Sequence, residues 1–240
     1  MTVAAGPPTV LELRGVRAAY DEVTVLHGVD IAVPAGQVTA LLGPNGAGKT
    51  TTLKVAAGAH PVAAGRLLLG GRDLTGAKTK DLARAGVCLI PEGRGIFPNL
   101  SIRDNLRMMT FTGRSQQEIE ELAYARFPVL GKNATRAAGT LSGGEQQMLA
   151  LARGLATSPA VLLVDELSMG LAPVIVERLF EQVTQIASDG VGVLVVEQFA
   201  TAALAIASQA AVLVRGKVAR IGQPDEVREQ LSDLYLGSSR

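Results

Sequence analysis

Gly43-Pro44-Asn45-Gly46-Ala47-Gly48-Lys49-Thr50-Thr51 decides the reading of this 240-residue chain. The stretch fits G-x-x-x-x-G-K-[ST], with Gly43, Gly48, Lys49 and Thr50 at the fixed places. Residues 37–42 before it form an apolar run of strand length. Residues 52–57 after it can continue as a helix and reach a stop at Gly58. Strand, glycine loop and helix is the setting this pattern requires. Glycines let consecutive backbone N–H groups turn inward on a phosphate, and the new helix adds its unpaired N–H groups and positive dipole end. Lys49 then supplies a cation for the β- and γ-phosphates, and the Thr50 hydroxyl is placed to ligate Mg²⁺. The stretch predicts a nucleoside triphosphate site.

Outward from the loop, the chain alternates between strands and helices. Residues 11–14, 23–26 and 29–33 alternate in polarity as half-exposed strands do, and residues 66–69 followed by Gly70-Gly71 resemble a hairpin turn. Residues 80–85 predict a short helix leading into the strand 87–90. Continuous apolar runs at 161–164 and 191–196 read as buried strands, with helices over 173–187 and 200–208. Strands at 211–214 and 218–221 flank Gly216, and a last helix covers 225–234. Such a pattern implies a parallel sheet covered on both faces, whose ligands bind at the carboxyl ends of strands. Gly43, Asp165-Glu166 and Glu197-Gln198 all fall at such ends.

Between residues 93 and 157 the texture changes. Ser101 can cap a helix running to about Thr110, residues 116–127 make another, and residues 131–139 read as loop. No strand is evident there, so the region is expected to be an inserted helical subdomain, with residues 9–92 and 158–240 as the nucleotide-binding core. It closes with Leu141-Ser142-Gly143-Gly144-Glu145, in which Ser142 and Glu145 form a capping box. Two glycines in a first turn are costly unless something approaches the backbone closely.

Composition sets the outer bounds. A net charge of +1 gives no field to hold nucleic acid or an anionic membrane. The single cysteine, Cys88, excludes an internal disulfide, and its apolar neighbours suggest a buried strand residue, in keeping with a reducing compartment. No signal peptide is visible at the start, and the longest apolar runs are far short of a membrane span. The chain is expected to be soluble, so any membrane span would come from another chain.

The pair Asp165-Glu166 ends a buried strand, where uncompensated charge is costly. With a phosphate loop in the same sheet, Mg²⁺ supplies the reason: Asp165 would hold the metal, directly or through water. Glu166, one residue on, could accept a proton from the water attacking the γ-phosphate. Tyr20, one of eight aromatic residues, is either a core plug or a surface for stacking adenine.

Phosphate loop, Leu141–Glu145 segment and strand-borne Asp165-Glu166, in that order and spacing, resemble the ATP-binding cassette (ABC) ATPases over about residues 9–240. The resemblance implies a P-loop NTPase core of α/β class with a mainly parallel sheet, an N-terminal antiparallel β subdomain and the helical insertion. It makes Tyr20 the adenine-stacking aromatic. It also implies a head-to-tail pair of cassettes, two copies or two different chains, in which Ser142, Gly143 and Gly144 of one subunit close over ATP held by the other. Two integral membrane permease subunits and, indirectly, a substrate-binding protein would complete the assembly at the cytoplasmic face of the membrane.

Several residues depart from the commonest pattern of that family. Glu92 stands where Gln is common, Gln198 where a histidine is common, and the two histidines, His27 and His60, lie elsewhere. Ala172 replaces a frequent Asp, and Leu167 replaces a Pro beside Glu166. Pro91-Glu92-Gly93-Arg94, Gly170-Leu171-Ala172-Pro173, Val196-Glu197-Gln198 and Tyr235-Leu236-Gly237 together resemble one branch, the LivF-type subunit of branched-chain amino acid importers. Lipid or lipopolysaccharide export cassettes would carry Gln and His in place of Glu92 and Gln198, and soluble non-transport ABC ATPases usually carry two cassettes or long insertions. Glu92 is expected to ligate Mg²⁺ unless it pairs with Arg94. Gln198 cannot carry a proton near neutral pH and is expected to orient the water. Leu167 is expected to loosen the backbone beside Glu166.

Overall fold

The computed structural model describes residues 7–93, 95–198 and 200–236. Arg94 and Gly237, both singled out in the sequence, lie outside the described residues. The chain opens with two twelve-residue strands, β1 (Thr9–Tyr20) and β2 (Val23–Pro34), paired antiparallel. The sequence reads β2 as two pieces because register shifts interrupt its alternation; near one shift the Gly15 N–H donates to Asp30 across the pair at 2.7 Å. Tyr20 is the last residue of β1, and it faces Val23 across a two-residue turn.

After β3 (Val38–Leu42) and α1 (Lys49–Ala56) come β4 (Ala64–Leu69), β5 (Arg72–Asp73), α2 (Thr79–Arg84) and β6 (Val87–Ile90). The turn between β4 and β5 places Gly70 at φ 55° and Gly71 at φ 78°, the left-handed pair that a tight hairpin demands. The next segment is helical: α3 (Ile102–Arg107), α4 (Gln116–Arg126), α5 (Pro128–Lys132) and α6 (Gly143–Leu155). Here α3 stops at Arg107 and passes into a 3-10 turn over Met108–Thr112, short of the expected end. Part of the expected loop is α5, started by Pro128 at its first turn, where a missing N–H costs nothing. The remaining elements are β7 (Val161–Asp165), α7 (Pro173–Ser188), β8 (Gly192–Glu197), α8 (Ala200–Ile206), β9 (Gln209–Val214), β10 (Lys217–Gly222) and α9 (Pro224–Leu236).

Two sheets result. One is antiparallel, in the order β2-β1-β4-β5; the other has six strands in the order β10-β9-β3-β8-β7-β6. All neighbours in the larger sheet pair parallel except β10 with β9. Side chains alternate across a strand, and the core divides accordingly. Val193 and Val195 of β8 join Leu162 and Val164 of β7 in a cluster with the helical side, including Leu149, Leu179 and Phe180. Leu194 and Val196 join Val161 and Leu163 in a second cluster, under α1 and the antiparallel sheet, with Leu13, Leu26 and Leu53. β7 and β8 therefore carry no charge before their last residues, Asp165 and Glu197, because both faces are buried. Cys88 is only half-buried, a correction to the sequence reading: β6 is an edge strand and leaves it partly uncovered.

Gly216, between β9 and β10, ties the two sheets to the phosphate loop. Its N–H donates to the Ala47 carbonyl at 2.9 Å, and its own carbonyl accepts from the His27 N–H at 2.8 Å. At φ 73° a side chain is strained, and a Cβ would run into the Val25 carbonyl oxygen. Gly216→Ala is therefore expected to cost about 2–4 kcal/mol of stability and to weaken ATP binding, as read by urea unfolding and nucleotide titration. A change within error in both would remove this anchor.

Candidate nucleotide-binding site

The loop from Gly43 to Gly48 leaves the carboxyl end of β3 and enters α1. A Cβ on Gly43 would strike the Leu213 carbonyl oxygen, and Gly48 sits at φ 103° with Leu26 pressed against it. The chain can make this turn only with glycine at both places. Within the loop the Ala47 N–H donates to Pro44 at 3.2 Å. Pro44 is half-buried while Asn45 and Gly46 are exposed; Thr50 is half-buried and Thr51 buried. The N-cap of α1 is Gly48, which has no side chain to cap the helix. The first N–H groups of a helix have no partner within it, so this end is offered to an acceptor from outside.

Lys49 is 5% exposed. Its ammonium donates to the loop's own carbonyls, Gly43 at 2.8 Å and Pro44 at 3.2 Å. Burial lowers its pKa, while the carboxylates of Glu166, Asp165 and Glu197 oppose that shift. One hundred and fifteen residues along the chain, β7 delivers Asp165 to the same place, and the Thr50 hydroxyl donates to its carboxylate at 3.5 Å. Asp165 is pushed up to about 6, first by burial and then by the charges of Glu166 and Glu92, against the Thr50 bond and Lys49.

A hydroxyl and a carboxylate side by side suit Mg²⁺, which takes few protein oxygens and keeps water and phosphate around it. The buried, easily protonated carboxylate is the group a divalent cation would hold ionised. Among the described residues no group of three or more His, Cys, Asp or Glu could hold a metal alone. Thr50 and Asp165 fit an ion whose other ligands are phosphate and water.

Glu166 sits half-buried in left-handed backbone at φ 47°, uncommon for a non-glycine residue. Its N–H donates to Val196 at 2.9 Å, and the next side chain, Leu167, is fully buried in the core. The Leu167 carbonyl also accepts from Gln147 at 3.4 Å. The residue at which the sequence suggested looseness thus has its side chain packed in the core.

The sequence also missed a partner. Glu197, 1% exposed at the end of β8, accepts from the Ser168 N–H at 3.0 Å and its hydroxyl at 2.7 Å. Burial raises its pKa and the Ser168 bonds lower it. The carboxylate fixes the turn that carries Glu166. A buried Glu beside Gln198 was a signal that a donor had to exist; which donor is set by the tertiary fold. Gln198 and Glu92 are both exposed near strand ends.

Ser142 caps α6 as read. Its hydroxyl accepts from the Glu145 N–H at 3.3 Å, and the Glu145 carboxylate accepts from the Ser142 N–H at 2.8 Å. Ser142 is exposed, Gly143 half-buried and Gly144 buried. The close approach inferred for the glycines exists at Gly144 within this chain: a Cβ there would strike Ile175 of α7. Among the described residues no hydrogen bond joins residues 142–144 to the loop at 43–51. Tyr20, 42% exposed, is no core plug; its ring lies on His60.

The sequence pattern of the ABC transporter family matches residues 26–168. The high-affinity branched-chain amino acid transport ATP-binding protein BraG of Pseudomonas aeruginosa is 37% identical, over 95% of this chain and all of that protein. A probable branched-chain amino acid transport ATP-binding protein, LivF, of Archaeoglobus fulgidus is 35% identical over 92% of this chain and 95% of its own. The lipopolysaccharide export ATP-binding protein LptB of Acidithiobacillus ferridurans is 31% identical over 95% and 97%. Among solved structures, a nucleotide-free ATP-binding cassette from an ABC transporter superposes with a TM-score of 0.82 at 25% identity, covering 94% of this chain and 96% of that one.

The raised Asp165 pKa has a sign that can be checked. A carboxyl protonated more readily in the folded than in the unfolded state loses stability as pH rises from about 4 to about 6, then stays at the lower level. From the ordinary 3.8 to about 6 corresponds to about 3 kcal/mol. Without metal or nucleotide, Asp165→Asn is expected to raise stability by about 2–3 kcal/mol at pH 7.5 and little at pH 4. Urea unfolding with chelator checks this; an equal effect at both pH values would refute it.

Proposed function

The chain belongs to the ABC transporter family, whose ATP-binding subunits hydrolyse ATP, and on that premise we propose that it powers an importer of branched-chain or other amino acids. The 37% identity to BraG across that protein's whole length carries this reading. Glu92 and Gln198 support it over lipopolysaccharide export, to which the likeness with LptB also points. No helix among the described residues is long and apolar enough to cross a membrane. The subunit would act at the cytoplasmic face, coupled to two membrane permease subunits and through them to a substrate-binding protein.

The placement of the residues supports a role for each. The residues from Gly43 to Thr51, namely Gly43, Pro44, Asn45, Gly46, Ala47, Gly48, Lys49, Thr50 and Thr51, wrap the triphosphate, and Tyr20 stacks on adenine. Lys49 exchanges its bonds to the Gly43 and Pro44 carbonyls for phosphate oxygens. Thr50 and Asp165, joined by Glu92, would hold Mg²⁺, which neutralises phosphate charge when bound. Glu166, set beside the site by its left-handed backbone, takes the proton of the attacking water, and Gln198 orients that water by donating and accepting hydrogen bonds. Ser142, Gly143 and Gly144 of a second cassette, on the segment 93–157, close over the γ-phosphate. One chain leaves that helix end idle.

Two experiments test the reading. Glu166→Gln keeps the shape and removes the base, so turnover is expected to fall by about 10²–10⁴-fold. The variant should pass from monomer to dimer on gel filtration with ATP and Mg²⁺, not with ADP, and a second change, Ser142→Arg, should cancel the shift. A monomer under all conditions, with or without a partner cassette, would refute the paired mechanism. In cells, Lys49→Ala is expected to abolish uptake of labelled leucine, isoleucine or valine. Full uptake with an envelope defect would favour export.

A further inference from the structure

We infer that His60 is a positioning residue for base recognition: it backs one face of the Tyr20 ring and leaves the other to the nucleotide base. This rests on the reading of Tyr20 as the adenine platform. The ring centroids of Tyr20 and His60 lie 4.2 Å apart, with the planes tilted by 33°. His60 Nε2 lies 2.9 Å from the Ala19 carbonyl oxygen. A carbonyl only accepts, so Nε2 carries the hydrogen, and the bond ties the imidazole to the residue preceding Tyr20.

The backbone on either side of His60 is also held. The Ala59 and His60 N–H groups donate to Lys54 at 2.8 and 3.2 Å, wrapping the chain back on the end of α1. Gly58, at φ 66°, makes that turn in a place where a Cβ would meet the Ala77 carbonyl at 2.8 Å. The Thr79 hydroxyl donates to the Gly58 carbonyl at 2.8 Å. Just beyond, the Ala63 N–H donates to Arg17 of β1 at 2.8 Å. The helix that begins with the phosphate-binding Lys49 thus ends by delivering the ring that steadies Tyr20. One rigid element sets the distance between the phosphate end and the base end of the ligand.

An exposed tyrosine at a strand end has rotameric freedom that a base would have to remove on binding. Stacked on a second ring, Tyr20 is already ordered, so less affinity is lost in fixing it. Aromatic pairing of this kind corresponds to about two- to tenfold in an equilibrium constant.

The test compares Mg²⁺-ATP with inorganic tripolyphosphate, a probe that has the phosphates and no base. Both are titrated against the natural protein, Tyr20→Ala, His60→Ala, His60→Phe and the double alanine variant. His60→Ala is expected to weaken ATP about two- to tenfold and leave tripolyphosphate unchanged, which also shows the variant is folded. The double variant should lose less than the sum of the single losses, and His60→Phe, which keeps a ring, should recover most of the affinity. Equal losses for both ligands in His60→Ala, or undiminished ATP affinity, would overturn the role of His60. If Tyr20→Ala leaves the ratio of the two affinities at its natural value, the platform reading of Tyr20 fails first and this proposal with it.

Discussion

A buried ammonium held by the carbonyls of its own loop is the constraint on which the rest of the site depends. Lys49 is enclosed, and it holds the carbonyls of Gly43 and Pro44. Keeping a cation in that place requires negative charge nearby, and the sheet supplies it from the ends of two other strands, β7 and β8. Those carboxylates lose hydration on burial and feel the charge of Glu166, which is why Asp165 and Glu197 both hold protons more readily than exposed acids do. The site is a balance of buried charges, each costly by itself, and each held by a hydrogen bond from a defined place: Thr50 for Asp165, Ser168 for Glu197.

The fold makes that balance possible by alternation. Neighbouring residues of β7 and β8 feed different cores, so the strands are clamped from both faces and their carboxyl ends cannot drift. Gly216 then brings β9 and β10, β2 and the loop to one point. Rigidity of this sort is what a phosphate-binding loop needs, because its N–H groups gain only where they are aimed before the ligand arrives.

Much of this was legible in the residues. The glycines of 43–48, the lysine and the threonine can be read without a structure because their chemistry is local: backbone turns, helix ends and a short strand. The capping box at Ser142 and the turn at Gly70-Gly71 are equally local. What sequence could not show depends on which surfaces meet. Ile175 explains Gly144 only once α6 lies against α7, and Ser168 finds Glu197 from the far side of a helix. His60 meets Tyr20 across forty residues. Pro128 hid a helix because its neighbours Gly131 and Lys132 carry no apolar period, and Cys88 was misjudged because an edge strand looks like a central one until its neighbours are known.

The bare start of α1 has a consequence for the cell. Its N-cap, Gly48, has no side chain to satisfy the first N–H groups, which leaves them open to an anion from outside. The nucleotide therefore belongs to the folded architecture as well as to the reaction, and the native state is linked to the free ATP concentration. Each tenfold rise of ATP above its dissociation constant adds about 1.4 kcal/mol to the resistance of the subunit to unfolding. A starved cell lowers both the fuel of this protein and the force that keeps it folded.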